Sequence, residues 1–314
     1  MFAVPGDIKM GDRSRIESVD ASWNPTYGCT SVSNGCRNCY ARRITAKSAK
    51  PGQVYYGIAK YSPLGAPRWT GRLVHAAEKS PEKKWEPLRW QDGRMVGVDT
   101  MSDLFHERIP NAWRDEAYGV MALCGQHIFQ VLTKRPQVMH WYFAAPDIWQ
   151  RIEREARRIY QERHNKPYPS DGHLQGPLPN VWHGVSVENQ AAANYRVPML
   201  LKVPSARHYV AAEPLLAPIR LSHWLGAAGV SWVLVSGEGG PDARACDVAW
   251  ISALIEQGKA AGVPIFVKQL GTATNVYGAT HETGHSPTDT RTRRASDMDE
   301  WPEAVRVREM PDAA

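Results

Sequence analysis

One unit recurs along this chain from Tyr55 onward: a short apolar run rich in β-formers, a polar cluster at its end, then a helix-like segment. That alternation is the pattern of parallel strands joined by crossover helices. The candidate strands end as LVHAAEK at 73–79, RMVGVDTMSDLF at 94–105, HIFQVLTKR at 127–135, VWHGVSVEN at 181–189, RHYVAAEPL at 207–215, SWVLVSGEGG at 231–240 and PIFVKQLG at 264–271. With a first strand over Glu17–Trp23 they number about eight, which predicts an α/β fold: a TIM-barrel-like (β/α)8 or closely related barrel, in a single domain over 1–314. The spacing breaks between about 136 and 180, where an amphipathic helix at Pro146–His164 leads into KPYPSDGHLQGPLPN. That insertion reads as a lid, a substrate-docking element or a long crossover. Residues 272–314 read as an irregular C-terminal extension, with WPEAVRVREMP tucking Trp301 back onto the barrel.

Functional residues of such barrels sit at the C-terminal ends of the strands. Here nearly every candidate strand ends in ionisable or hydroxyl side chains: Glu78; Ser102 and Asp103; Thr133, Lys134 and Arg135; Ser186 and Glu188; Glu213; Ser236 and Glu238; Lys268 and Gln269. Singly, each is more often a solvated strand-end charge or a helix cap. As a set they would ring one mouth. The SGEGG run at 236–240 reads as a tight turn, with a phosphate nest as the alternative.

The stretch WNPTYGCTSVSNGCRNCYARR, Trp23 to Arg43, places Cys29, Cys36 and Cys39 within eleven residues. A structural zinc site is closed by four protein ligands, whereas an iron–sulfur cluster can be held by three thiolates with one iron left open. No Cys-x-x-Cys or His-x-x-His partner pair follows, and His75 is the nearest downstream histidine. Three thiols therefore fit a cluster better than zinc. Gly28 and Gly35 precede cysteines and alternate with Asn34 and Asn38, so the backbone can turn tightly around a charged group. Cys124 and Cys246 stand alone and read as small buried hydrophobes. After Cys39, YARRITAKSAK lacks proline and glycine and predicts a basic helix starting at the cysteines. His281 and His285 are four apart, but Gly284 and Pro287 argue against a metal-binding helix there.

At 314 residues and 43% hydrophobic composition the chain can bury a large core. A formal charge of +6 and a pI near 9.0 favour an anionic partner such as nucleic acid without demanding one. No eighteen-residue apolar run occurs and the N-terminus is polar too early for a secretory signal, so a cytoplasmic protein without a membrane partner is expected. Five cysteines, odd in number and bunched, point to a reducing compartment. Gly-x-Ser-x-Gly, P-loop and Gly-x-Gly-x-x-Gly motifs are missing from the sequence.

The cysteine loop resembles the signature loop of radical S-adenosylmethionine (SAM) enzymes. It departs from it in having six residues between the first two cysteines, and Asn38 where an aromatic is usual, with the aromatic displaced to Tyr40. Together with MSDLFHERIP, LTKRPQ, VWHGVSVENQ, AAEPLL, SGEGGPDAR, VPIFVKQLG and WPEAVRVREMP, it makes nearly the whole chain resemble a phage-associated, three-cysteine family of radical-SAM-like proteins, a domain of unknown function. The resemblance implies a TIM-barrel-like core, a 4Fe–4S cluster on Cys29, Cys36 and Cys39, S-adenosyl-L-methionine as cofactor and an external electron donor. It places Glu78, Ser102 and Asp103 at the SAM amino group or ribose, Lys134 or Arg135 at its carboxylate, Ser186 and Glu188 at the ribose, and Tyr40 beside the cluster. Glu213, Glu238 and Lys268 would then face substrate. Relatives occur in phages with enlarged, decorated thymidines, so the expected reaction is rearrangement of a modified nucleobase in DNA, the base flipped out of the duplex. The Arg-rich insertion agrees with DNA. The alternatives are a non-catalytic nucleic-acid-binding protein with structural zinc or a redox-sensing cluster, and a radical lyase acting on damaged DNA or a peptide.

Overall fold

The computed structural model describes residues 14, 16–169, 172–275 and 296–312. His281 and His285 lie outside the described residues. The centre is one all-parallel sheet of seven strands whose spatial order follows the chain: β1 Ala21–Trp23, β2 Met95–Val98, β3 Ile128–Thr133, β4 Val181–Ser186, β5 Arg207–Ala212, β6 Val230–Ser236 and β7 Ile265–Gln269. The main helices are α1 Tyr40–Lys47, α2 Asn111–Ala122, α3 Pro136–Phe143, α4 Ile148–His164, α5 Gln190–Leu200 and α6 Val248–Ala261. The fold is α/β, as expected, but β1 and β7 are the two edges of the sheet and do not pair, so the expected eight-stranded closed barrel is corrected to an open sheet.

The strand that fails to join is LVHAAEK. Only Val74–His75 is extended, pairing antiparallel with Thr26–Tyr27 outside the main sheet. The next residues, Ala76–Lys79, are good helix formers and make a single turn capped by the His75 ring, whose Nδ1 accepts from the Ala77 amide. Strand β2 is also shorter than the apolar run suggested, because Asp99 adopts φ 52° and turns the chain out of the sheet after Val98.

One sheet face carries Trp182, Tyr209, Trp232 and Phe266, with Met95, Ile128 and Leu132 against them. The opposite face, including Val96, Phe129, Val131, Val185, Val210 and Val235, packs under the helices. Gly184 on β4 lies beside Tyr209 on β5, and a Cβ at 184 would overlap the phenol ring. Gly184→Ala is therefore expected to destabilise the fold by about 1–3 kcal/mol through overpacking, read from denaturant unfolding.

The insertion belongs to the outer layer. Helix α4 packs on α2, where Gly119 lets the backbone of Ala156 approach closely. The described part of the following loop folds back on the same helix: Glu153 accepts from the Leu174 amide (3.0 Å), and Arg157 donates to the Gly172 carbonyl (3.2 Å). At the far edge of the sheet the C-terminal segment runs antiparallel to β7, with Val267 N–H to Val307 O at 2.8 Å and Glu309 N–H to Ile265 O at 2.9 Å. Trp301 and Val305 are buried there, as expected for Trp301. Among the described residues no helix is long and apolar enough to cross a membrane.

Candidate functional site

The cysteine loop leaves the C-terminal end of β1 and crosses the C-terminal ends of its neighbours, held at each by a polar contact. At β2, the Thr26 amide and hydroxyl donate to the Asp99 carboxylate at 3.0 and 2.6 Å. Ser102 Oγ donates to the Gly28 carbonyl at 2.6 Å, and the Tyr40 hydroxyl to the Thr100 carbonyl at 2.6 Å. Gly28 has φ 100° and a Cβ there would overlap the Arg72 carbonyl, so only glycine suits this turn.

Burial pushes the Asp99 carboxyl up to about 8, against the pull of the two Thr26 bonds. An unfolded aspartate titrates near 3.9, so across the interval from about 4 to about 8 the folded chain holds a proton that the unfolded chain has released. The contribution of Asp99 to stability is complete below that interval and is lost as pH rises through it. Asp99→Asn should flatten this part of the profile: between about pH 5 and about pH 8, denaturant unfolding should show a larger loss of stability in the native chain than in the variant.

At β3 the hub is Arg135. Its guanidinium donates to Asp103 Oδ2 (2.8 Å), to both Glu107 oxygens (3.0 Å each), to the Thr30 carbonyl (2.9 Å) and to Cys29 Sγ (3.6 Å). Asp103 also accepts from Thr133 Oγ1 at 2.7 Å and from the Phe105 amide at 3.0 Å. Burial pushes the Cys29 thiol up to about 12, with Asp103 adding to the shift and Arg135 opposing it.

At β4 and β6 two carboxylates repeat the theme. Gly35 packs on Glu188, where a Cβ would stand 3.0 Å from the carboxyl carbon, and Glu188 pairs with Arg196 of α5 at 2.8 Å. Burial works against the Glu188 carboxylate, yet the neighbouring Ser33 hydroxyl and the Arg196 guanidinium hold it below the usual carboxylate range. Glu238 receives Asn38 Nδ2 at 2.9 Å and Arg244 at 2.7 and 2.9 Å, and Arg244 reaches on to Asn34 at 3.0 Å. Burial likewise opposes ionisation of Glu238, and Arg244 and Asn38 outweigh it. The SGEGG run leaves β6 as irregular backbone packed on its neighbours, with the turn itself following at Pro241–Asp242: a Cβ on Gly237 would overlap the Leu270 carbonyl, and one on Gly240 (φ 117°) the Arg43 guanidinium.

The remaining expected residues fall in different places. Lys268, buried, and Glu213, half-buried, form an ion pair at 2.7 and 2.9 Å at the ends of β7 and β5. Cys39 and Glu213 both lie within electrostatic reach of the Tyr40 hydroxyl, which brings this pair towards the cysteines. Lys134 is half-buried between Arg135 and the end of β3, and acts on Glu188 across a short gap. Ser186 is buried at the end of β4, its carbonyl accepting from Arg196 at 2.7 Å. Glu78 is exposed on the one-turn helix, away from any strand of the main sheet. Sequence reasoning missed Asp99, Arg196 and Arg244. A single charged residue in the otherwise uncharged helix α5 was the available sign for Arg196.

All five cysteines are free thiols; Cys29, Cys36 and Cys39 are half-buried, and Cys124 and Cys246 are buried. Among the described residues no three His, Cys, Asp or Glu side chains stand together as a preformed metal site. The family model described as "Protein of unknown function (DUF5131)" matches residues 13–303. The chain belongs to the DUF5131 family. The match covers the cysteine loop, all seven strands of the sheet and every strand-end contact described above, so this DUF5131 member carries its candidate site inside the family domain. Compared with curated proteins and with solved structures, the chain finds no match.

Proposed function

We propose that this DUF5131 protein is a radical-SAM-type 4Fe–4S enzyme built on a relative of the TIM barrel, acting on a modified nucleobase in DNA. The observation that carries the reading is the course of the cysteine loop: three half-buried free thiols lie on a segment drawn across the C-terminal ends of a parallel sheet. In parallel sheets that end is where ligands bind. The donor set suits the cluster, since three thiolates complete no zinc site and an Arg135 N–H stands at 3.6 Å from Cys29 Sγ, where it would stabilise anionic sulfur. Cys29, Cys36 and Cys39 would hold the cluster, whose chemistry when bound is one-electron reduction of the S-adenosyl-L-methionine sulfonium, breaking its C5′–S bond to give methionine and a 5′-deoxyadenosyl radical, the electron restored by an external donor.

The chain's own residues divide accordingly. Ser102, Asp103, Arg135 and Glu238 are engaged in holding the loop, so their part is to position the cysteines. That shifts the SAM carboxylate to Lys134, whose ammonium has no hydrogen bond or ion pair among the described residues. Glu188 lies within electrostatic reach of Lys134, and Ser186 ends the same strand, β4; Tyr40 stands apart from them, next to Cys39. The Glu213–Lys268 pair is the proton-handling group at the substrate, a carboxylate and an ammonium 2.7 Å apart that can exchange a proton as a substrate atom changes basicity.

The test is anaerobic reconstitution followed by iron and sulfide analysis, assay of 5′-deoxyadenosine and mass spectrometry of nucleosides from DNA bearing modified thymidines. Four irons per chain, deoxyadenosine formation and a changed nucleoside are expected. Stoichiometric zinc without deoxyadenosine would sink the reading, and nucleosides unchanged across modified and unmodified DNA would remove the nucleobase.

A further inference from the structure

The charge of this chain is distributed unevenly. Between Ala21 and Ala77 there are eight lysines and arginines and no aspartate or glutamate; the remaining residues hold 30 basic against 32 acidic side chains. The whole positive excess of the protein therefore lies in the segment that contains the cysteine loop, α1 and the stretch from Ser48 to Ala77.

That segment stands outside the main sheet. After α1 the chain forms a two-stranded hairpin, Ala59–Tyr61 with Pro67–Trp69, and both strands pack on α1. Arg37, Lys47, Lys50, Lys60, Arg68 and Arg72 are exposed. Among the described residues none of the eight basic side chains is in an ion pair. Arg42 donates instead to the Arg37 carbonyl, and Arg43 lies against Gly240. Interleaved with these charges are Tyr40, Tyr56 and Tyr61, which are 42%, 48% and 48% exposed. The Arg-rich insertion differs: on α4, Arg151 pairs with Asp115, Arg157 with Glu153, and Arg158 with Glu155 and Glu162. Its arginines are largely neutralised by their own neighbours, so it is the weaker candidate for a polyanion.

We infer that α1 and the 59–69 hairpin form a docking surface for a nucleic-acid strand. Unpaired lysines and arginines neutralise backbone phosphates, and exposed tyrosine rings accept bases in a stack. Cys39 is the residue before α1, so a strand lying along the helix arrives at the cysteine loop without leaving the protein. The exposed apolar side chains here, Val32, Ile44 and Leu64, are too few to enter lipid. The purpose of the surface rests on the nucleobase reading above, but the charge distribution stands without it.

The experiment is fluorescence anisotropy with the full chain and a labelled single-stranded DNA of roughly 20 nucleotides, without SAM or reductant, over a salt series. Lys60→Glu/Arg68→Glu, both on the exposed hairpin, is compared with Lys202→Glu/Lys259→Glu, an equal change of charge at exposed positions elsewhere. The hairpin pair is expected to weaken binding by about tenfold or more near physiological salt and to reduce the log–log salt slope by about 1.4, at about 0.7 for each phosphate no longer neutralised. The control pair should stay within about twofold, since screening confines each charge to its own neighbourhood. Unchanged circular dichroism and unfolding midpoints for both pairs would exclude misfolding. Equal losses in the two pairs, no loss in the hairpin pair, or tighter binding to phosphatidylserine vesicles than to DNA would overturn the inference. DNA binding without SAM cleavage would remove the proposed reaction alone, and SAM cleavage without DNA binding would remove the docking surface alone.

Discussion

A Cys36→Ser chain is expected to fold normally and, after anaerobic reconstitution, to retain little iron and to lose deoxyadenosine formation by more than about 100-fold. That exceeds the 10–100-fold typical of residues that only support a ligand. Cys36 is the informative position because its side chain is half-buried and free, and makes no hydrogen bond among the described residues whose loss would disturb the loop. Its amide, which serine keeps, makes the local turn to the Ser33 carbonyl at 3.0 Å. Cys124→Ser gives the contrast: that thiol is buried in the helix-facing core, so the change should cost stability and leave iron content intact. Iron retained in the Cys36 variant and lost in the Cys124 variant would reverse the assignment.

Arg135→Met is expected to destabilise the chain by about 3–5 kcal/mol, because it leaves the buried Asp103 carboxylate without its cation. Asp103 is only 5% exposed and keeps just the Thr133 hydroxyl and nearby amides as partners. The same substitution frees the Thr30 carbonyl and removes the cation and N–H that favour the Cys29 thiolate, leaving Asp103 to oppose it, so Cys29 should be alkylated more slowly than in the native chain. Arg135→Lys should recover only part of the loss, since a single ammonium cannot reach Asp103, Glu107, Thr30 and Cys29 together. Denaturant unfolding and the rate of thiol modification, measured on the same samples, separate the ion pair from the positioning of the loop. An Arg135→Met chain as stable as the native one would show that the hub is dispensable.

Seven of the eight expected strands are present because each is an apolar run rich in β-branched or aromatic residues and sits in the parallel sheet, buried on both faces. The eighth failed on local chemistry, as Ala76 to Lys79 prefer a helical turn and leave only Val74 and His75 extended. The basic helix after Cys39 and the burial of Trp301 were legible for similar reasons: an uninterrupted run of helix formers in one case, a large apolar ring in a polar tail in the other. The strand-end carboxylates were visible as types and positions, but their partners were not. Glu238 is joined to Asn38 across 200 residues and Thr30 to Arg135 across 105, and spacing along a chain carries no sign of contacts at that range. For that reason the contacts by which Ser102, Asp103 and Arg135, expected beside the cofactor, also hold the cysteine loop were not legible in the sequence.

The return of residues 307–309 alongside β7 has a consequence for handling the protein. Those residues satisfy amides and carbonyls that would otherwise form a bare rim running the length of the last strand. A proteolytic nick upstream of Trp301 would peel that cover away, and the exposed rim would then recruit the same strand from another molecule. Loss of this short tail should therefore show itself first as clumping, before any change in the interior.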